Sequence, residues 1–214
     1  MLIISMITPL RQAVILAGGV DTYTHMKPFT NVIPQPMVFI HGKPFLEYLI
    51  TMLKDNGISD IILLLKYLPE KIIKYFGSGD QFGVRIRYSI GAVDDEMGTQ
   101  IRNARDMLDN DFLLMRSNNY WPLNLEEFYD SYKKHSVIAS MVVCQSPYTA
   151  SKNNVYIDDK GLISIHDITR TTPGLNGIDI GFMIAQKTVC DFIPDDSVSF
   201  EKEVIIASYD FFNA

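Results

Sequence analysis

Small and polar residues that could contact a ligand follow directly after two apolar runs of this sequence. Gly18 and Gly19 follow residues 14–17, and Asn118 stands just beyond residues 112–115. Paired glycines after a buried strand let the backbone turn sharply and let a ligand come close to main-chain N–H groups. These residues indicate a ligand site if the two runs are neighbouring strands.

A third candidate is an acidic loop at residues 94–96 (Asp-Asp-Glu), which precedes Gly98. Three consecutive acidic side chains could hold a metal ion. A solvated loop that leads into an acidic helix N-terminus explains the same residues equally well. The sequence leaves both interpretations open.

The residues between these positions predict alternating strands and helices. Residues 14–17, 61–65 and 112–115 are apolar without polar alternation, which is typical of strands buried on both faces of a parallel sheet. Helices are predicted at residues 45–56 and 69–77, because apolar residues recur there on one helical face and Pro and Gly stand at the ends. This alternation predicts an α/β fold of the Rossmann-like, doubly wound type, with a mostly parallel mixed sheet and helices on both faces.

Ligand sites of open α/β sheets lie just past the carboxyl ends of the strands. We therefore expect residues 18–30, Gly98 and Asn118 to line one cleft. The same reasoning predicts helices at residues 101–108 and 125–134, strands at 84–88, 137–143 and 177–182, and a hairpin at 155–163. We expect a single domain over residues 1–214, with residues 1–11 as an N-terminal extension.

Composition excludes several classes of protein. The net charge of -6 argues against a general nucleic-acid surface, which would be basic. The apolar start of the chain is too short to span a membrane and lacks the features of a signal peptide, so we expect no membrane association and a cytoplasmic location. Cys144 and Cys190 have no metal-ligand spacing and are interpreted as two free buried thiols in a reducing cytosol, with a disulfide between them as the alternative.

The sequence resembles the sugar-1-phosphate nucleotidyltransferases, which make NDP-sugars and release pyrophosphate. The motifs that carry the resemblance are Leu16-Ala17-Gly18-Gly19, Pro28-Phe29-Thr30, Pro34-Gln35-Pro36-Met37 and Gly42-Lys43-Pro44. The acidic loop and the residues Asn119-Tyr120-Trp121-Pro122-Leu123 look most like members of bacterial surface-sugar and heptose pathways. By this resemblance, the nucleotide-binding residues are Leu16, Ala17, Gly18, Gly19 and Gly98.

The residues that should do the family's chemistry are replaced. The resemblance implies Arg at Tyr23, Lys at Gln35, a Mg²⁺-binding Asp at Asn118 and Lys at Ile168. Lys27 or His25 could substitute for the missing arginine, and the alternative is a surface loop that no longer binds phosphate. Mg²⁺ is therefore a family expectation that Asn118 would meet only weakly.

The sugar-phosphate side of the site is predicted to contain Asp167, Asp179 and Glu201, with Arg170 compensating for a lost lysine. The resemblance also implies further strands and a second metal-binding aspartate after residue 214. We therefore expect the C-terminal part of the family fold to be missing from this chain.

Two functions follow from the resemblance and remain open. In the first, catalysis is weak or lost, and the protein either binds a nucleotide, a sugar 1-phosphate or both, or regulates an active partner subunit. In the second, it is an active transferase in which Lys27, Lys43, Arg170 or the acidic loop replaces the missing groups. The protein could form a homo-oligomer or bind an active partner subunit.

Overall fold

The fold is described from a computed structural model, which covers residues 10–18, 29–135, 137–145, 151–195 and 200. A six-stranded sheet forms its centre, in the order β5-β4-β1-β6-β10-β7. The strands are β1 (Gln12–Leu16), β4 (Asp60–Leu65), β5 (Arg85–Ile90), β6 (Asp111–Arg116), β7 (Ala139–Cys144) and β10 (Ile178–Gln186).

Four neighbouring strands of this sheet are parallel. β1 pairs with β4 and β6 on its two sides, and β4 pairs with β5, all in parallel register. β10 is antiparallel to both β6 and β7. The predicted mostly parallel mixed sheet is therefore confirmed, and the continuous apolar runs are explained by burial of β1 and β4 on both faces.

Helices cover both faces of the sheet, as predicted. They are α1 (Phe45–Asp55), α2 (Pro69–Phe76), α3 (Met97–Asn103) and α4 (Leu125–His135). One core contains Leu49 of α1, Ile72 of α2 and Leu125 of α4. The second core, on the opposite face, contains Ile101 of α3 together with Val14 and Leu114.

The third helix begins and ends earlier in the chain than the sequence predicted. α3 ends at Asn103, and the chain continues through a one-turn 3₁₀ helix at Arg105–Met107. Leu108 still packs into the same core as Ile101, because the tighter turn keeps it on the inner side. The predicted strand over residues 137–143 is β7, which begins two residues later.

Two small hairpins lie outside the central sheet. One pairs β2 (Phe39–Ile40) with β3 (Lys43–Pro44), and the other pairs β8 (Val155–Ile157) with β9 (Ile163–His166). The second is the predicted hairpin. A single domain over the whole chain stays a prediction, because the last fourteen residues lie outside the described ones. In the described residues, no helix is long and apolar enough to cross a membrane.

A polar network joins the amino ends of three strands. Asp60, at the start of β4, accepts hydrogen bonds from Gln12 of β1 (2.8 Å) and Arg85 of β5 (2.9 Å). Arg87 also binds the Asp60 carboxylate, at 2.5 Å, and donates to the Met107 carbonyl. The network fixes the strand starts at the end of the sheet opposite to the predicted ligand edge.

Candidate functional site

The carboxyl ends of β1 and β6 lie side by side. Leu16 is in register with Arg116, and the Ser117 N–H donates to the Leu16 carbonyl at 3.2 Å. Gly18 and Asn118, each two residues beyond this pair, therefore leave the sheet at the same edge. The structure thus brings together two residues that are a hundred positions apart in the sequence.

Gly18 makes a close approach that no larger residue could make. A Cβ atom at this position would lie 2.4 Å from the Lys66 amide nitrogen and 2.8 Å from the Leu65 carbonyl carbon. The end of β1 therefore packs directly on the backbone that leaves β4. Gly18 has a packing role in addition to its predicted role toward a nucleotide.

The acidic loop lies over the end of β4. The Lys66 ammonium donates to the Asp95 carbonyl at 2.6 Å, and the Asp95 carboxylate accepts the Ala92 N–H at 2.9 Å. Asp95 thus stabilises its own turn, while Asp94 is exposed. Gly98 is buried in the first turn of α3, directly after this loop.

A buried carboxylate, Asp179, lies beside the end of β6. It accepts hydrogen bonds from the Arg116 guanidinium at 3.1 Å and from Nε2 of His166 at 3.2 Å. The side chains of Asp179 and His166 are 6% and 0% exposed, whereas that of Arg116 is 31% exposed and reaches the surface. Among the described residues, the other ring nitrogen of His166, Nδ1, has no hydrogen-bond partner.

The surroundings of Asp179 keep it ionised. Burial is the strongest single influence and disfavours the charge, but the hydrogen bond from His166, the charge of Arg116 and the N–H of Gly181 together lower the pKa of this carboxyl. Asn154 fixes the strand itself, because its side-chain oxygen accepts the Asp179 N–H at 2.8 Å.

Gly181 allows Arg116 to lie across β10. Its backbone has φ +81, and a Cβ atom there would lie 3.3 Å from the Arg116 side chain. A side chain at this position would be strained and would crowd the arginine. The neighbouring Asn119 donates to the Ile180 carbonyl at 2.7 Å and ties the loop after β6 to β10.

The predicted sugar-phosphate residues Asp167 and Arg170 are engaged in a local turn. The Asp167 carboxylate accepts hydrogen bonds from the backbone and hydroxyl groups of Thr169 and Thr172. These bonds hold the pKa of this exposed carboxyl well below its usual range. Arg170 has φ 58, and its guanidinium donates to the Lys152 carbonyl. Their contact with a sugar phosphate stays a prediction.

Two other predicted residues lie on the α1 side. Gln35 begins a one-turn 3₁₀ helix at Gln35–Met37, and Lys43 forms an ion pair with Glu47 at 2.8 Å.

Several predictions lie outside the described residues, namely those for Gly19, Tyr23, His25, Lys27 and Glu201.

The described donor atoms do not fit a tight Mg²⁺ site. In the described ranges, no group of three or more His, Cys, Asp or Glu side chains could hold a metal ion. Asn118 provides a neutral amide oxygen, and the Asp179 carboxylate is already bonded to Arg116 and His166. Mg²⁺ prefers several anionic oxygen ligands. We therefore assign no metal-dependent step to these residues.

Sequence reasoning missed the roles of Arg116 and His166. The sequence predicted no role for Arg116, although a cation directly at a strand end could have pointed to it. His166 gave no signal, because its partner Asp179 lies on another strand and only the folded chain joins them.

A larger groove of about 590 Å³ runs along β7. It lies between α4 and the β8–β9 hairpin and is mostly apolar, with Phe128, Val142 and Leu162 among its lining residues. None of the predicted site residues in the described part of the chain lines it. The chemistry-bearing residues therefore gather at the strand ends and not in this groove.

Comparison with known proteins shows which family this chain matches. The family model described as nucleotidyl transferase matches residues 12–161. The chain is 28% identical over 199 residues to UTP–glucose-1-phosphate uridylyltransferase of Synechocystis sp., covering 86% of this chain and 51% of the relative. It is 34% identical over 117 residues to D-glycero-alpha-D-manno-heptose 1-phosphate guanylyltransferase of Campylobacter jejuni, covering 54% and 51%.

Solved structures share the fold. HddC from Yersinia pseudotuberculosis, in a complex with GMP-PN, has a TM-score of 0.75 and 27% identity, covering 91% of this chain and 84% of that one. A glucose-1-phosphate thymidylyltransferase homologue from Bacillus anthracis has a TM-score of 0.79 at 17% identity, which shows the fold alone. The chain spans about half the length of the curated relatives that it matches.

Proposed function

Because this chain belongs to the nucleotidyl transferase family, we propose that its strand-end edge binds a nucleoside triphosphate and a sugar 1-phosphate, with weak or lost nucleotidyl transfer. The observation that carries the proposal is the juxtaposition of Gly18 and Asn118 at the neighbouring carboxyl ends of β1 and β6. Ligands of open α/β sheets bind at such an edge. The heptose guanylyltransferase and the GMP-PN complex among the similar proteins support a nucleotide as the ligand.

The geometry suggests a division of the edge into two sides. Gly18 and the buried Gly98 of α3 would face the nucleotide, and Asp179 of β10 would face the sugar phosphate. The end of β6, with Arg116 and Asn118, lies between them in the sheet, since β6 pairs with β1 on one side and β10 on the other. An attacking sugar phosphate and a nucleotide would meet there.

Weak catalysis follows from the charge of the site. Nucleotidyl transfer depends mainly on positioning and on neutralising phosphate charge. Tyr23, Gln35, Asn118 and Ile168 are uncharged residues at positions where the resemblance implies three cations and a metal-binding carboxylate. Loss of one preorganised electrostatic group typically costs on the order of 10²–10³ in rate, and losses within one unit need not multiply.

The second candidate is an active sugar-1-phosphate nucleotidyltransferase. Arg116 favours it, because a cation stands at the strand end between the two proposed substrate sides. If this arginine replaces the missing groups, turnover would survive with a different arrangement of charges. For a chain with weak or lost catalysis, we propose a second copy of the chain or an active partner subunit as the assembly partner.

Binding can be measured with an internal probe. Trp121 is the only tryptophan of the chain, stands three residues after Asn118, and is 45% exposed. Titration of GTP, UTP, CTP and a panel of sugar 1-phosphates should change its fluorescence with saturation. Calorimetry provides a check that does not depend on the reporter. Failure of every ligand to bind in both methods would refute the proposed function.

Turnover is tested by release of pyrophosphate with the same ligands. We expect little or no release from the unmodified protein. The combined change Tyr23→Arg, Gln35→Lys, Asn118→Asp and Ile168→Lys should raise release above that level, whereas single changes should do little. Robust turnover by the unmodified protein would refute lost catalysis and support the second candidate.

A further inference from the structure

We propose that Lys66 holds the acidic loop at a fixed place relative to Gly18 and thereby determines how well the protein distinguishes one nucleotide base from another. This inference rests on the proposed function and deepens it, because it names a residue behind nucleotide selectivity that no sequence motif indicates. Lys66 would act through the loop, so it is a positioning residue and does not itself touch the nucleotide.

The stem of Lys66 lies against the end of β1. A Cβ atom at Gly18 would lie 3.0 Å from Cγ of Lys66, so that the lysine side chain passes directly beside this glycine. The backbone is tied at the same place, because the Tyr67 N–H donates to the Gly18 carbonyl at 3.4 Å. One end of Lys66 is therefore fixed to the strand end that carries the predicted nucleotide-binding glycine.

The other end of Lys66 holds the acidic loop. Its ammonium donates to the Asp95 carbonyl at 2.6 Å, and the positive charge of the donor strengthens this bond. The Asp95 carboxylate accepts the Ala92 N–H at 2.9 Å, which closes the turn on itself. The Gly91 N–H donates to the Leu65 carbonyl at 2.9 Å and attaches the start of this turn to β4. Lys66 attaches the far end of the same turn.

The position of the acidic loop decides where α3 begins. Asp95 directly precedes Glu96, the N-cap residue of α3. Gly98 is buried within the first turn of this helix. Gly18 and Gly98 are the two glycines that would face the nucleotide. The bond from Lys66 to Asp95 therefore sets the gap between the two sides of the proposed nucleotide site.

The charge of the loop indicates which part of a nucleotide lies beside it. Asp94 and Glu96 are exposed, and their carboxylates would repel a triphosphate, whereas a base is uncharged. Carboxylates accept hydrogen bonds from N–H groups, and the pattern of such groups differs between bases. A loop held at one distance from Gly18 can therefore distinguish bases, and a loop without its attachment would distinguish them less well.

The experiment compares Lys66→Met with the unmodified protein in calorimetric titrations of GTP, UTP, CTP and inorganic pyrophosphate. Methionine keeps most of the apolar stem beside Gly18 but cannot donate a hydrogen bond to the Asp95 carbonyl. The loop should then adopt other positions, and the apparent affinity falls with the fraction of molecules in the competent one. We expect the affinity for the preferred nucleotide to fall about five-fold or more. Its preference over the other two should shrink by the same factor, while pyrophosphate binding stays unchanged.

Lys187→Met is the matched control. Lys187 also donates to a main-chain carbonyl, that of Leu108, at 3.2 Å, but this bond lies before the start of β6, at the opposite end of the sheet. We expect this control to keep the affinities and the base preference of the unmodified protein. Lys66→Arg keeps a cationic donor at the position, so it should retain more of the preference than Lys66→Met.

An unchanged base preference in Lys66→Met would overturn the inference. If all three nucleotides and pyrophosphate then bind more weakly by one factor, Lys66 contacts phosphate directly instead of positioning the loop. Equal affinity of the unmodified protein for the three nucleotides would also overturn it, since no base would be distinguished. If Lys66→Met does not fold, the shorter and uncharged Lys66→Gln replaces it with the same expected result. Failure of the unmodified protein to bind any of the four probes would instead refute the proposed function.

Discussion

The substitution Asp60→Asn tests the network that fixes the amino ends of the strands. Asp60 is 12% exposed and accepts hydrogen bonds from Gln12, Arg85 and Arg87. Asparagine has nearly the same shape but replaces one acceptor oxygen by an NH₂ group, which would face other donors. It also removes the counter-ion of Arg87, whose side chain is 28% exposed.

The expected loss of stability is moderate. Breaking a fully buried ion pair costs about 3–5 kcal/mol, but this network is partly exposed, with Arg85 at 64%. We therefore expect the free energy of unfolding to fall by about 2–3 kcal/mol. For a chain of this size, the melting temperature should fall by about 4–12 °C. Thermal unfolding followed by circular dichroism provides the measurement.

The matched control is Asp191→Asn. Asp191 also pairs with an arginine, Arg105, at 2.6 Å, but the two side chains are 52% and 43% exposed. Exposed pairs contribute about 0–1 kcal/mol, so that the melting temperature of this variant should stay within about 4 °C of the original. If the melting temperature of Asp60→Asn falls no further than that of the control, the reasoning is refuted.

The effect of Asp60→Asn should depend on pH. Burial is the strongest influence on Asp60 and opposes its charge, but the hydrogen bonds from Arg87, Arg85 and Gln12 together lower the pKa of the carboxyl. A lowered pKa in the folded state stabilises the fold above the unfolded pKa, near about pH 4. That contribution is lost as the pH falls through the folded pKa. The stability difference between variant and original should therefore shrink below about pH 4. A larger difference at low pH would contradict the role assigned to the Asp60 carboxylate.

Two further predictions concern the ligand edge. Gly18→Ala should lower the free energy of unfolding by about 1–3 kcal/mol in chemical denaturation, because the new Cβ would overlap backbone atoms at Lys66 that cannot move independently; native-like stability would contradict this packing. Asn118→Asp should strengthen Mg²⁺ binding on the order of ten-fold in calorimetry with GTP present, because it adds an anionic oxygen; tight stoichiometric uptake by the unmodified protein would show another set of ligands.

Local patterns in the sequence determined the elements of this fold. The apolar run around Val14 has no polar alternation, and in the structure β1 is buried on both faces between two parallel neighbours. The face formed by Leu46, Leu49 and Leu53 likewise predicted α1 and its burial. Such patterns report burial directly, because the period of the apolar residues must match the period of the element. The end of α3 was predicted less well, since Leu108 follows the helical pattern through a 3₁₀ turn.

The sequence also determined the family, because the glycine and proline motifs at the start of the chain are contiguous. It predicted that Gly18 and Asn118 would share an edge, since both follow strands that parallel pairing aligns. It could not predict the strand order or the antiparallel direction of β10, which depend on packing between distant segments.

Only the tertiary structure decided which polar side chains act together. Arg116, His166 and Asp179 come from three different strands, and none of them has a motif in the sequence that indicates the others. Asp167, by contrast, was predicted to contact the sugar phosphate. In the structure, its carboxylate accepts hydrogen bonds from the turn that follows it. Burial and hydrogen bonding set the charge and the direction of each group, and both depend on neighbours that the chain brings together only when it folds.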